Sequence, residues 1–290
     1  MQIKEFQSEE NAGERIDKFL TEKVPELSRS YIQKLIKEKN VKVNSTVIKS
    51  NYKVAKGDQI QITIPDLTEP DILPENIPLD ILYEDDYLLA VDKPAGMLIH
   101  PSRARNEGTL ANFVLGYYRR TGQKCAFHPM TRLDRDTFGI VLLGKNTHVH
   151  ALLQASQVQK TYHALVYGGP AADSGIIDAP IDRRPLPSLL RFVGPEGKSS
   201  VTEYRVLERR QGISRLALRP ITGRTHQLRV HCAYGGFPIL GDPQYGSEES
   251  QSLSARLGLA SQQLCAHSLD LTHPITEKAL HLESRMDVTL

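Results

Sequence analysis

Three cysteines, Cys125, Cys232 and Cys265, are all that the 290 residues offer for thiol chemistry. They are odd in number, far apart and not in Cys-x-x-Cys spacing, which argues against a disulfide framework and supplies no zinc pattern. Long apolar runs are also missing: Ile140-Val141-Leu142-Leu143 falls far short of the roughly 18 residues that span a bilayer. The opening stretch Met1 to Phe6 lacks the basic-then-apolar pattern of a secretion signal, so a cytoplasmic location is expected. Gly168-Gly169-Pro170 and Gly235-Gly236-Phe237 lack the lysine and hydroxyl of a phosphate loop, and there is no Gly-x-Ser-x-Gly elbow. Of the 10 histidines, His148 and His150 are two apart and His226 and His231 five apart, not the four of a helical zinc motif. Nucleotide hydrolysis, metal-dependent hydrolysis and serine acyl transfer therefore all lack their parts.

What is present is an ordinary globular composition, 40% apolar and 24% charged, which excludes fibrous and disordered classes. The net charge of +2 hides an uneven layout. Residues 13–64 carry 11 Lys/Arg against 6 Asp/Glu, residues 65–86 carry 8 Asp/Glu and no Lys/Arg, and the remainder beyond residue 86 is again basic. Two basic blocks flank one acidic tract.

In the first block, Ile16, Phe19, Leu20 and Val24 recur at spacings of three and four, predicting an amphipathic helix. Ser28-Arg29-Ser30 restarts the pattern, and either serine can cap a second helix with Ile32, Leu35 and Ile36 inward and Arg29, Lys34, Lys37 and Lys39 outward. Alternation at Val41 and Val43, a turn at Asn44-Ser45, and a further alternating run at Ile60, Ile62 and Ile64 predict short strands. Residues 65–80 hold Pro65, Pro70, Pro74 and Pro78 among acidic residues and read as an interdomain linker. From residue 81 to 290, two strand-like runs around Glu84-Asp85-Asp86 precede Lys93-Pro94-Ala95-Gly96. Helical stretches near 108–120 and 146–157 then mix with strands near 140–143, 161–167, 200–207 and 213–219. Without a regular βαβ rhythm, this predicts a mixed, largely antiparallel α+β domain.

The chemistry left to the chain is a carboxylate among arginines. Thr131-Arg132-Leu133-Asp134-Arg135-Asp136-Thr137-Phe138-Gly139 runs into the buried strand Ile140 to Leu143. Read alone, it is a turn whose carboxylates bond backbone amides. Two further strings bear on it. Lys160-Thr161-Tyr162-His163-Ala164 places a phenol at the start of a strand, and Gly223-Arg224-Thr225-His226-Gln227-Leu228-Arg229-Val230-His231 places an arginine just ahead of a helix ending near Gly235.

With Lys93-Pro94-Ala95-Gly96, these strings in this order resemble the motifs of the RluA-type pseudouridine synthases. Residues 13–64, from Glu14-Arg15-Ile16-Asp17-Lys18 through Val41-Lys42-Val43-Asn44 to Gly57-Asp58, resemble the S4-type RNA-binding domain. The resemblance implies an α+β protein: residues 1–12 as an N-terminal segment, 13–64 as an S4-like domain of two helices plus short strands, and 81–290 as a pseudouridine synthase catalytic domain. It also implies isomerisation of uridine in structured RNA without metal or organic cofactor, by a cytoplasmic monomer. The expected substrate is large-subunit (23S) ribosomal RNA, with transfer RNA as the alternative. Carried over by residue, Asp134 matches the essential aspartate and Tyr162 the tyrosine that stacks on the base. Arg224 matches the arginine paired with that aspartate, Leu228 an aliphatic pocket wall, and Arg132 the arginine that fills the place of a flipped base. Arg29, Ser30, Lys34 and Lys37 match positions that meet RNA backbone. These roles suit the chemistry, since a uracil must leave its stack to be reached and an arginine favours the charged form of a nearby carboxylate.

Two positions depart from the commonest pattern: Thr131 stands where a histidine usually precedes Arg-Leu-Asp, and Phe138 where a small hydroxyl residue usually precedes the glycine. They motivate one rival, a catalytically silent RNA-binding or ribosome-assembly factor. A second rival, a nucleoside or glycoside hydrolase built on carboxylates, rests on Asp134 and Asp136.

Overall fold

The structure is a computed structural model describing residues 2–8, 13–24, 27, 29–64, 72–102, 106–185, 188 and 190–289. The chain divides into two compact units, Met1–Asp71 and Ile72–Leu290.

The first unit contains β1 (Gln2–Gln7), α1 (Ile16–Lys23), α2 (Arg29–Lys37), β2 (Val41–Val43), β3 (Thr46–Val47) and β4 (Gln59–Ile64), with the strands in the order β1-β4-β2-β3. The apolar stripes of the helices and the inward residues of β2 and β4 form one core around Ile16, Phe19, Leu20, Leu35, Ile60 and Ile62. Asn44 and Ser45 both take left-handed φ, as a two-residue hairpin between β2 and β3 requires. The reading of residues 1–12 as a separate N-terminal segment is corrected here. Strand β1 pairs antiparallel with β4 along its whole length, from Gln2 opposite Ile64 to Gln7 opposite Gln59. The run carries no period-two signal, since its apolar residues Ile3 and Phe6 stand three apart and Ile3 is exposed.

The second unit begins with a segment that composition had assigned to the linker. Residues 65–71 lie outside the described residues, but residues 72–79 are anchored. Ile72 and Leu79 pack on the core, the Glu75 N–H donates to Asn112 O at 2.9 Å, and the Asn112 side chain donates to Leu73 O at 2.8 Å. The backbone approaches so closely that a Cβ on Gly116 would meet Glu75 O at 1.9 Å. A proline-rich stretch with no internal structure can still serve as an extended strap when a helix offers it hydrogen bonds and small residues.

After the strap come β5 (Asp80–Glu84), β6 (Leu88–Lys93), α3 (Leu110–Arg120), β7 (His128–Pro129), β8 (Phe138–Gly144), α4 (Thr147–Ala155) and β9 (Gln159–Tyr167). Next are β10 (Ser174–Asp178), the hairpin β11 (Ile181–Arg183) and β12 (Arg191–Val193), then β13 (Val201–Arg210) and β14 (Ile213–Pro220). The chain ends with α5 (Gln227–Tyr234), α6 (Glu248–Arg256), β15 (Leu264–Thr272) and β16 (Ala279–Glu283). The main sheet runs β10-β13-β14-β9-β15-β8-β6-β5, with β16 on β15 and β7 on β8. It is antiparallel except between β15 and β8, where Cys265 and Ala266 lie opposite Phe138 and Gly139. Gly139 has φ +104°, and a Cβ there would lie 2.3 Å from Ala266 O. Only glycine permits that junction. Apolar side chains from the two halves of the sheet form separate cores, and Tyr162 on β9 packs against both.

Candidate active site

The junction of β8, β9 and β15 is where the three motif strings converge. Asp134 sits in the loop before β8, in a turn closed by Thr137 N–H donating to Asp134 O at 3.2 Å. The loop is tied down from beneath by Lys93, at the end of β6, which is fully buried. Its ammonium donates to Pro94 O, Met97 O and Arg135 O, each at 2.9 Å, so the Lys-Pro-Ala-Gly string and the aspartate loop share one buried cation.

Burial pushes the Lys93 ammonium down to about 8, against the pull of Asp136 and Asp134. The unfolded chain keeps that proton to about 10.5, so folding releases a proton between those values and this group makes stability rise with pH across that window. Lys93→Met is expected to remove that pH dependence and, by orphaning three carbonyls, to destabilise the second unit by about 2 kcal/mol at pH 7. Thermal unfolding at pH 7 and pH 9.5 measures both effects.

The third string forms the opposite wall. At the first residue of α5, the Gln227 side chain accepts from Thr222 Oγ1 and Arg224 N–H, and donates to Val201 O and Thr202 Oγ1. A fully satisfied buried amide thus fixes the turn that carries Arg224. His231, at the far end of the string, is a core histidine whose Nδ1 and Nε2 meet Thr202 Oγ1 and Ala179 O at 2.8 and 3.0 Å.

The expected pairing of Asp134 with Arg224 is not what the fold builds. Arg224 lines the cleft but is exposed, and its Nε donates to Ser199 O at 3.1 Å. The partner of Asp134 is Arg229, whose Nη1 lies 3.1 Å from Asp134 Oδ2. Arg229 is 5% exposed and is gripped on its other edge by Asp242, with Nε to Oδ2 at 2.7 Å and Nη2 to Oδ1 at 2.8 Å. Gln244 Oε1 accepts from Nη2 at 2.8 Å, and the Tyr245 ring centroid lies 4.9 Å from the guanidinium. The reason is helical geometry: Arg224 precedes the helix, whereas Arg229 stands on α5 on a buried flank and reaches across. Sequence carried a usable signal for it, since an arginine between Leu228 and Val230 on a short helix needs a buried carboxylate.

His226 is the second residue that was passed over. It takes φ +57° at the start of α5, and its Nε2 lies 3.9 Å from Asp134 Oδ1. Its Nδ1 is 2.8 Å from the Tyr245 hydroxyl, and burial lowers its pKa, outweighing the pull of Asp134.

The other expected residues surround this carboxylate. Tyr162 and Leu228 line the cleft, Leu228 buried and Tyr162 half-buried. Burial raises the pKa of the Tyr162 phenol and the Asp134 charge adds to the shift, so it is protonated. Arg132 and Lys160 also line the cleft, Arg132 exposed and Lys160 with its ammonium pKa lowered by burial. The cleft holds about 490 Å³, within the roughly 300–1,000 Å³ of small-molecule sites. Thr131 is buried beside the loop, and Phe138 packs toward Leu165 and Val288. Neither position takes part in the Asp134–Arg229 contact. Asp136 pairs with its neighbour Arg135 at 2.9 Å.

In the first unit, Arg29 Nε and Nη2 donate to the buried Asp17 carboxylate at 3.1 and 3.0 Å. Burial opposes ionisation of Asp17, but hydrogen bonds from Gln33, Arg15 and Arg29 overcome it and hold the pKa at about 2. Arg29 therefore clamps α2 to α1 as well as standing at the surface. Lys34 and Lys37 are exposed on α2, with Lys34 3.7 Å from Glu38, and the side chain of Ser30 lies outside the described residues.

Outside the cleft, His163, His267 and Asp287 stand close enough to share a metal ion among the described residues. The Arg215 guanidinium donates to His163 Nδ1 at 3.1 Å and pairs with Asp287, so a cation there would meet a fixed positive charge. These residues do not suit one. No helix among the described residues is long and apolar enough to cross a membrane.

The central junction of the mixed sheet thus presents a carboxylate held by a buried arginine, in a cleft walled by an aromatic and an aliphatic side chain. Comparison with known proteins supplies the class. Residues 87–234 match the RNA pseudouridylate synthase family and residues 14–60 match the S4 domain. The chain is similar to an uncharacterized RNA pseudouridine synthase of Bacillus subtilis, YlyB, with 38% identity over 284 residues, covering 96% of this chain and 92% of that one. It is similar also to the ribosomal large subunit pseudouridine synthase D of Escherichia coli K12, with 36% identity over 281 residues, covering 93% and 86% of the two chains. The solved human RNA pseudouridylate synthase domain containing 4 shares 28% identity at a TM-score of 0.57, over 71% of this chain and 88% of that one. The chain belongs to the RNA pseudouridine synthase family, whose members are isomerases that convert uridine in RNA to pseudouridine.

Proposed function

We propose that this synthase modifies large-subunit ribosomal RNA, with Asp134 as the catalytic group. The observation that carries the catalytic assignment is the Asp134 carboxylate, 29% exposed at the cleft and held at Oδ2 by a buried arginine. The substrate assignment draws on the similarity to the Escherichia coli large-subunit enzyme across most of both chains.

Isomerisation breaks the uridine N1–C1′ bond and joins C5 to C1′, while C5 loses its proton and N1 gains one. An anionic carboxylate aimed at the sugar serves this reaction either by attacking C1′ or by removing a sugar proton. The target uracil must leave its stack to reach Asp134. Tyr162 offers it an aromatic face and Leu228 an aliphatic wall. Arg132, exposed at the cleft, would occupy the vacated stack, and Arg224, which also lines the cleft, would meet nearby phosphates. Lys34 and Lys37 on α2 supply further backbone contacts, joined by the surface part of Arg29 and by Ser30.

Tritium release from unmodified transcripts labelled at uridine C5 tests the substrate. Large-subunit ribosomal RNA is expected to release tritium to a fixed stoichiometry per molecule, and transfer RNA to release none. The opposite pattern would overturn the ribosomal assignment.

A further inference from the structure

The Asp134 carboxylate has two oxygens, and Arg229 accounts for one. We propose that His226 is a second positioning residue for Asp134, donating Nε2–H to its other oxygen, and that Tyr245 fixes the imidazole in the tautomer able to do so. The inference rests on the assignment of Asp134 as the catalytic group.

Three observations carry it. The His226 ring stands between two partners, with Nε2 3.9 Å from Asp134 Oδ1 and Nδ1 2.8 Å from the Tyr245 hydroxyl. That hydroxyl already accepts from the backbone N–H of Arg191 at 2.9 Å, so its own proton is available to His226. A hydroxyl has one proton to give, and Nδ1 is the acceptor in front of it. With Nδ1 accepting, the ring proton of the neutral imidazole resides on Nε2, facing a carboxylate that can only accept. The opposite tautomer would turn a lone pair on Nε2 toward that carboxylate. Burial favours the neutral ring, so this donor adds no second full positive charge beside Arg229.

The backbone supports the same reading. His226 adopts φ +57°, in the left-handed region that side chains rarely occupy, and its side chain makes no cap to α5. The strained conformation turns the imidazole toward the cleft, as strain retained at functional sites commonly does. The 3.9 Å gap exceeds a hydrogen bond, and such contacts tighten when substrate closes a site.

The arrangement also links Asp134 to the hairpin of β11 and β12. Arg191 opens β12, and its amide holds Tyr245, which orients His226. Tyr245 in turn lies over Arg229, so both donors to Asp134 are steadied by one aromatic side chain.

The test is a double-mutant cycle on single-turnover rate and RNA affinity, using an unmodified large-subunit ribosomal RNA transcript labelled with tritium at uridine C5. His226→Asn keeps a residue tolerant of left-handed φ but too short to reach Asp134. It is expected to lower the rate about 10- to 100-fold, the size of one charge-assisted hydrogen bond, with RNA Kd within about twofold. Tyr245→Phe keeps the ring over Arg229 and loses only the hydroxyl, and a rate loss of about fivefold is expected. Because the tyrosine acts through the histidine, the double variant should be no slower than His226→Asn alone. Multiplying losses, or a full rate in His226→Asn, would overturn the proposal. If His226→Asn fails to fold, Tyr245→Phe decides alone: an unchanged rate overturns the proposal and a slowed rate at unchanged Kd supports it. A wild-type protein that releases tritium separates these outcomes from a failure of the substrate assignment, and activity retained in Asp134→Asn would instead remove the reading on which the inference rests.

Discussion

Asp134→Asn is expected to abolish pseudouridine formation, lowering the single-turnover rate by at least about 10³-fold, while RNA binding stays within twofold. A loss of that size corresponds to about 4 kcal/mol of barrier. The amide is nearly isosteric, so the turn closed by Thr137 N–H persists, because that bond uses the backbone oxygen of residue 134. Arg229 is not left unpaired either, since Asp242 grips it through two hydrogen bonds and Gln244 through a third. The variant therefore removes the anion and little else. Its melting temperature should remain within a few degrees of wild type, and filter binding with tritium release on one transcript separates affinity from chemistry. A rate within tenfold of wild type would remove Asp134 from the catalytic role.

Much of this architecture could be read in the sequence because its elements follow simple periods. The three- and four-residue spacing of Ile16, Phe19 and Leu20 lies within α1, and the alternation of Ile60, Ile62 and Ile64 lies within β4. The Asn44-Ser45 turn needed φ > 0 at two adjacent residues and had a residue type suited to it. Elsewhere, long-range contacts decide the structure. Strand β1 is defined by its pairing with a strand more than 50 residues later, and the strap at 72–79 is ordered by the face of α3 and the gap left by Gly116. Neither partner is visible in a local window.

The site divides along the same line. Asp134, Tyr162 and Leu228 meet in one cleft, as their strings implied. The electrostatic partner stands five residues beyond Arg224, because the distinction between Arg224 and Arg229 is three-dimensional. One precedes α5 and is exposed at the cleft, while the other lies on the helix with Asp242, 13 residues later in the chain, positioned behind it. His226 went unassigned for a related reason. A histidine outside a metal spacing carries no local signal, and its part depends on a tyrosine 19 residues further on.

Because it bridges Asp134 and Asp242, Arg229 is the site of the second large effect. Arg229→Lys keeps a positive charge but gives up the planar fork that binds Asp242 at two nitrogens while a third reaches Asp134. A lysine can satisfy one of these carboxylates well and not both. The activity loss should be about 100-fold or more. Asp242 is 2% exposed, so weakening its partner also leaves a buried carboxylate undercompensated. Breaking such pairs outright costs about 3–5 kcal/mol, and the lysine variant should lose a little less. Arg224→Gln provides the contrast. Its side chain is exposed and its bond is to a backbone carbonyl, so the second unit should melt as wild type does. Any defect should appear as a few-fold rise in RNA Kd and a shallower salt dependence, with the bound complex reacting at nearly the full rate. Measuring single-turnover rate, Kd and thermal unfolding for both variants discriminates the two arginines. Equal rate losses in bound complexes would show that Arg224 reaches Asp134 when RNA is present, and a full rate in Arg229→Lys would remove Arg229 from the support of the carboxylate.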